Sequence, residues 1–199
     1  MAVGANRRTS FELYHISPSD VIRTRTWFDE QIRHLSTKKV TPNRLMMGAG
    51  GAELTGTLLP GKLYFFYYDP KYKETLPYYD QFPLVLPYDR DKTTFIGLNL
   101  HYLEYRPRME LFKALAKNHG QNMMSESAKI RYSWELIKGV SKTSLAQACI
   151  KRYLFEHVKS PYLAVPEESW YTAMLLPVQR FAKATKEHVW RDSARHTSW

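Results

Sequence analysis

The sequence predicts an α+β protein: a small, SH3-like, partly open β-barrel over about residues 57–106, with an N-terminal helix before it and a helical region after it. Three observations predict this class. Ten of the 28 aromatic residues (5 Trp, 14 Tyr, 9 Phe) fall between Gly61 and Tyr88, in short runs broken by prolines and polar turns. Beyond residue 106 the apolar residues return at helical spacing behind serines that suit N-caps. A chain of 199 residues with 44% apolar and 24% charged content is long enough to bury a core without staples.

The first element follows Ser17. Ser17 suits an N-cap, Pro18 the first helical position and Asp20 the positive end of the helix dipole. Val21, Trp27, Phe28, Ile32 and Leu35 then form an imperfect stripe, and the helix is expected to end near Ser36-Thr37. Residues 38–60 read as a long connection containing Gly48-Ala49-Gly50-Gly51, of a length that suits ordering against a neighbour. Residues 1–56 are therefore set apart as helix plus connecting segment.

Three strands build the predicted barrel. Lys62 to Tyr68 is the first, and Asp69-Pro70-Lys71 turns the chain. Pro83 to Tyr88 is the second, with prolines at both ends, as a strand end or an edge requires. Asp89-Arg90-Asp91-Lys92 turns into Thr94 to Leu100, where Phe95, Gly97 and Asn99 share one face and Ile96, Leu98 and Leu100 the other. Such a module needs bulky side chains to fill it.

Residues 107–199 are predicted helical and form one compact domain with the barrel. Pro107 to His119 is the first helix, stopped by Gly120. Ser125 or Ser127 caps a second that closes near Gly139, and Ser144 a third running through Cys149 and Ile150 to Leu154. Glu167 to Leu176 is a short helix cut by Pro177, and Gln179 to about Ser193 is the last.

The net charge of +10 is unevenly spread. Residues 61–106 hold 6 basic and 6 acidic side chains, whereas residues 107–199 hold 15 against 8. A polyanionic partner is thus expected at the C-terminal half. Lys151, Arg152, Arg180, Lys183, Lys186 and Arg191 are the candidate contacts, and on a final helix Arg180, Lys183 and Lys186 would share a face. Two readings of that face stand: phosphates bound in a salt-sensitive, sequence-blind way, or an acidic protein neighbour. The aromatic stretch is read as barrel filling, with Tyr68, Tyr72, Tyr78, Tyr79 and Tyr88 as candidate protein-interface residues. A base-stacking platform would want unmatched cations, and Lys62, Lys71 and Lys73 are matched by Asp69, Glu74 and Asp80.

Catalytic and cofactor patterns are sparse. Cys149 with His101 could form a thiol–imidazole pair of the kind cysteine hydrolases use, but Ala146-Gln147-Ala148-Cys149-Ile150 suits a small buried thiol better. The seven histidines show no metal spacing, and Asp89 and Asp91 suit turn backbone. The glycine run lacks the Gly-Lys-Ser/Thr ending of a phosphate loop. Neither cofactor nor metal is expected. With no apolar run near the roughly 18 residues a bilayer needs, no membrane partner is expected, and a single cysteine suits assembly in a reducing cytosol.

Several strings carry a resemblance: Gly61-Lys62-Leu63-Tyr64-Phe65-Phe66, Tyr68-Asp69-Pro70-Lys71, Leu76-Pro77-Tyr78-Tyr79-Asp80, Phe82-Pro83-Leu84-Val85 and Gly97-Leu98-Asn99-Leu100-His101-Tyr102-Leu103. Cys149-Ile150-Lys151-Arg152-Tyr153-Leu154 and Val189-Trp190-Arg191-Asp192-Ser193 extend it. Over roughly residues 60–193 the chain resembles a virion structural protein family of T-even-like tailed phages and cyanophages, often labelled DNA end protector. The resemblance implies a non-enzymatic virion protein, assembled in the host cytoplasm beside other proteins of the head, neck, tail or baseplate. It implies double-stranded DNA at genome ends as a partner and carries over no catalytic residue. A purely architectural baseplate, tail or neck component without DNA contact is the alternative, and a Cys-His hydrolase the third reading.

Overall fold

In the computed structural model the described residues are 54–59, 61–116, 144–165 and 169–196, together with Ser19, Ile22, Thr26, Gly139 and Lys142. Three short strands, β1 (Leu54–Thr55), β2 (Tyr64–Phe65) and β3 (Tyr79–Asp80), precede two long ones, β4 (Leu84–Arg90) and β5 (Thr94–Asn99). The hairpin of β4 and β5 is set by Asp91. Its Oδ1 accepts from the backbone N–H of Thr93 and of Thr94, both at 2.7 Å, and its Oδ2 from the Thr94 hydroxyl at 2.8 Å. These donors, the Thr93 N–H foremost, hold the Asp91 carboxyl down at about 2. Gly97 stands opposite Pro87, where a Cβ would strike the Val85 side chain and lie 2.9 Å from the Leu86 carbonyl.

After the hairpin come α1 (Tyr105–Ala116), α2 (Ser144–Gln147), β6 (Ile150–Leu154), β7 (Tyr162–Ala164), α3 (Trp170–Leu175), β8 (Phe181–Ala182) and α4 (Lys186–His196). A six-stranded antiparallel sheet has the order β1-β7-β2-β4-β5-β6, and β3 pairs with β8 in a separate two-stranded sheet. The class is α+β. The six-stranded sheet is not a closed barrel, and it takes strands from both sides of residue 106. Residues 150–164 lie first along β5 and then along β2. Between those pairings Phe155 N–H donates to the Thr93 carbonyl and Lys159 N–H to that of Tyr67, and Tyr68 bridges Val158.

Two expected helices are corrected. The helix expected from Ser144 through Leu154 ends at Gln147, and Ile150–Leu154 is a strand registered on Thr94–Leu98. The open side of β5 offers ladder bonds that the β-branched and aromatic residues of Ile150-Lys151-Arg152-Tyr153-Leu154 fit well. The helix expected from Gln179 begins only at Lys186, where the Thr185 hydroxyl accepts from the His188 N–H at 3.3 Å as an N-cap. Phe181 and Ala182, ahead of it, pair with β3. The helix from Pro107 is present as α1, and the one cut by Pro177 as α3. Of the N-terminal helix, Ser19, Ile22 and Thr26 are helical and the rest lies outside the described residues, as do residues 38–53 and, Gly139 apart, the helix capped by Ser125 or Ser127.

The sheet buries both faces, and alternation divides them. Leu63, Phe65, Leu84, Leu86 and Leu98 face a core shared with Met109, Met174 and Val189 of the helices. Tyr64, Phe66, Val85 and Phe95 face a second cluster with Tyr153 and Tyr162. At its centre the Phe66 ring meets Phe95, Tyr153 and Tyr162 edge-on at 5.8, 5.5 and 5.3 Å between centroids, a favoured aromatic geometry. Arg108 is fully buried and ties α1 to α3: Nη1 donates to the Met174 carbonyl at 2.6 Å and Nη2 to that of Leu103 at 2.8 Å. Burial lowers its pKa to about 10.

Candidate functional site

The ends of β3 and β5, the 3-10 turn Leu100–Tyr102 and β6 place four polar side chains together in the interior: Asp80, Asn99, His101 and Tyr153. Asn99 Oδ1 caps that turn by accepting from the His101 N–H at 3.1 Å. Its Nδ2 donates to Asp80 Oδ2 at 3.2 Å and to the Tyr153 hydroxyl at 3.1 Å. His101 Nδ1 lies 2.7 Å from Asp80 Oδ2, and the Phe82 N–H donates to Oδ1 at 3.1 Å. Burial lowers the His101 pKa, so the ring is neutral at pH 7, with the proton on Nδ1 facing the carboxylate. His101 Nε2 is buried and has no hydrogen-bond partner. The Cys149 Sγ is also buried, donates to the Ala146 carbonyl at 3.1 Å and is pushed up to about 12 by burial. His101 and Cys149 are not paired as base and nucleophile.

A cleft of about 540 Å³ lies over this network. Asp80, Asn99 and Tyr153 line it and are buried, forming its floor, while the exposed Lys71, Tyr72 and Arg152 line its mouth. Tyr78, Tyr79, Tyr102 and Lys151 stand in its walls with the apolar Leu76, Pro77 and Leu154. Lys151 Nζ sits 4.0 Å from the Tyr102 ring centroid and donates to the Ala148 carbonyl at 3.0 Å. Desolvation lowers its pKa. Lys71 Nζ stands 5.7 Å from the Tyr72 centroid. Arg152 makes no ion pair among the described residues. A second cavity, of about 400 Å³, shares Tyr78, Tyr102 and Lys151 with the cleft.

The sequence candidates divide accordingly. Lys151 and Arg152 from β6 meet Tyr68, Tyr72, Tyr78 and Tyr79 in the one cleft. Tyr68 is 7% exposed, and its hydroxyl accepts from the Leu154 N–H at 3.2 Å. Tyr88 packs against the helix-side core, away from the cleft. Arg180, Lys183 and Lys186 do not share a helical face, because the first two precede α4. Arg180 lies 5.8 Å from the Phe82 ring centroid and Lys186 5.4 Å from that of Trp190. Lys183, with φ of 68°, directs its ammonium onto the carbonyls of Lys73, Glu74 and Leu76 at 2.6, 2.8 and 3.4 Å. Arg191 is exposed without an ion pair among the described residues. Sequence reasoning missed Lys71, Asn99, Tyr102 and Tyr153 as lining groups. The signal for Tyr153 was its i, i+2 relation to Lys151, which places both on one side of a strand.

Among the described residues no group of three or more His, Cys, Asp or Glu could hold a metal ion, and no helix is long and apolar enough to cross a membrane. A family model described as Phage T4 terminal DNA protecting protein matches residues 19–194. No curated protein and no solved structure matches the chain.

Proposed function

The chain belongs to the family of phage T4 terminal DNA protecting proteins, and on that premise we propose that it is a non-enzymatic virion protein that holds a terminus of double-stranded phage DNA. The observation that carries the contact is the cleft between β6 and the 71–80 segment, where Lys71, Lys151 and Arg152 converge among tyrosine rings. Cations neutralise backbone phosphates without reading sequence, and rings accept any base face. A genome terminus asks for that combination, since it must be held whatever its sequence.

Of the remaining cationic candidates, Arg191 joins the contact most readily, being exposed and without an acidic partner among the described residues. Arg180 and Lys186 lie against the Phe82 and Trp190 rings, and Lys183 serves the fold before it serves a ligand. The curl of residues 150–164 around β5 and β2, with the Phe66 cluster inside, supports reading the sheet as an SH3-like, partly open barrel. In the particle the protein sits beside other virion proteins of the head, neck or tail, with the exposed Tyr72 turned to solvent and Tyr88 half-buried. It is assembled there in the host cytoplasm.

The test is competition between linear duplex and closed circular duplex of equal length for the purified chain, across a salt series. Linear DNA is expected to bind preferentially, with affinity falling steeply as salt rises, and to resist exonuclease when bound. Equal binding of both forms, or none at low salt, overturns the reading and leaves an architectural role without DNA contact.

A further inference from the structure

We infer that the cleft takes a single terminal nucleotide drawn out of the base stack, with its base inward and its phosphate at the mouth. This rests on the DNA-terminus reading above and specifies what part of the terminus is held. Size comes first. A cleft of about 540 Å³ lies within the range of roughly 300–1,000 Å³ that accepts one drug-sized ligand. One nucleotide is such a ligand, whereas a blunt duplex end presents two strands at once.

Charge then fixes the direction of entry. The floor holds the Asp80 carboxylate, already accepting from Asn99, His101 and the Phe82 N–H, so a phosphate is repelled from it. The mouth holds Lys71 and Arg152, exposed and without acidic partners among the described residues. Lys151 in the wall is already engaged by the Ala148 carbonyl and the Tyr102 ring, so an anion is held best at the mouth, which leaves the inner walls and floor to the base. The walls carry Tyr78 and Tyr79 beside the apolar Leu76 and Pro77, and tyrosine faces accept a base of any identity. Exchange out of the stack is easiest for a nucleotide that is already unpaired or frayed. A site of this form therefore distinguishes an end from an internal position without reading sequence.

The experiment uses the full chain with deoxyadenosine monophosphate, deoxyadenosine and inorganic phosphate, each titrated alone and against a labelled linear duplex. The monophosphate is expected to bind more tightly than either fragment and to displace the duplex. Lys71→Ala and Tyr72→Ala, both at exposed positions, should each weaken the monophosphate about ten-fold while thermal unfolding stays unchanged. A duplex whose ends are closed by hairpin loops should bind about ten-fold more weakly than one with open, frayed ends. If linear duplex binds but the monophosphate does not, or if hairpin-capped ends bind as well as open ones, the single-nucleotide site is overturned and the DNA-terminus reading stands. If the monophosphate binds at the cleft while linear and circular duplex are not distinguished, the DNA-terminus reading falls instead. Unaltered monophosphate affinity in both variants also overturns the inference.

Discussion

His101 Nδ1 lies 2.7 Å from Asp80 Oδ2, and neither side chain reaches solvent. The pair fastens β3 to the turn after β5, and it does so with a neutral imidazole, because burial lowers the His101 pKa below its ordinary 6.5.

Acid sensitivity follows. As pH falls below 6.5, the unfolded chain protonates this histidine while the folded chain does not. The unfolded state then binds more protons, and stability drops until the lowered folded pKa is reached. His101→Gln should cost about 2 kcal/mol above that window, by weakening a buried bond to a carboxylate, and should lack the histidine's share of the acid-induced loss. Chemical denaturation midpoints of both proteins across a pH series check this.

Cys149 should be nearly inert. Its thiol rises from 9.0 to about 12, which lowers the thiolate fraction about a thousand-fold at neutral pH. Iodoacetamide should label the native chain far more slowly than the chain in denaturant. Labelling at equal rates would return the hydrolase reading to consideration.

Lys183 combines a left-handed backbone with a three-carbonyl contact. Lys183→Ala loses the contact and keeps the unfavourable φ; Lys183→Gly loses the contact and relieves it. The glycine variant should therefore be the more stable of the two by about 1 kcal/mol. For duplex binding, Arg152→Ala should lower the salt slope by about 1, as loss of one phosphate contact does, and Lys183→Ala should leave it unchanged. Thermal melts and a salt series measure the two effects separately.

Gly97→Ala should destabilise by about 1–3 kcal/mol, the usual cost of an added methyl in a packed site. The new Cβ meets backbone at the Leu86 carbonyl, 2.9 Å away, and β4 is held there by Pro87 opposite. A Val85→Ala, Gly97→Ala double variant should lose less than the sum of the two single variants, since Val85 is the side chain struck.

The hairpin of β4 and β5 was legible because Asp91 and Thr94 carry their turn chemistry in the sequence. The tyrosine-rich stretch was legible as filling only in part: Phe66 packs among the rings of Phe95, Tyr153 and Tyr162, whereas Tyr72, Tyr78 and Tyr79 line the cleft. Residues 150–154 were not. Ile150, Tyr153 and Leu154 fit a helical stripe as well as a strand, and the choice was made by Thr94–Leu98, more than fifty residues earlier in the chain. The spacing of Arg180, Lys183 and Lys186 suggested one helix for a similar reason. The Thr185 cap shows that only the third is in it. The cleft was half legible: cations and tyrosines were both marked as candidates, but their meeting depends on β6 being a strand.

Residues 150–164, running along β5 and then β2, also set the order in which the protein can be made. A ribosome that has translated only through residue 106 has produced β2, β4 and β5 with bare outer edges, and Phe66 and Phe95 without the rings of Tyr153 and Tyr162. The early half of the chain must wait, adhesive, for the late half to emerge. Slow codons between residues 106 and 150 would lengthen that wait and raise the share of nascent protein lost to aggregation.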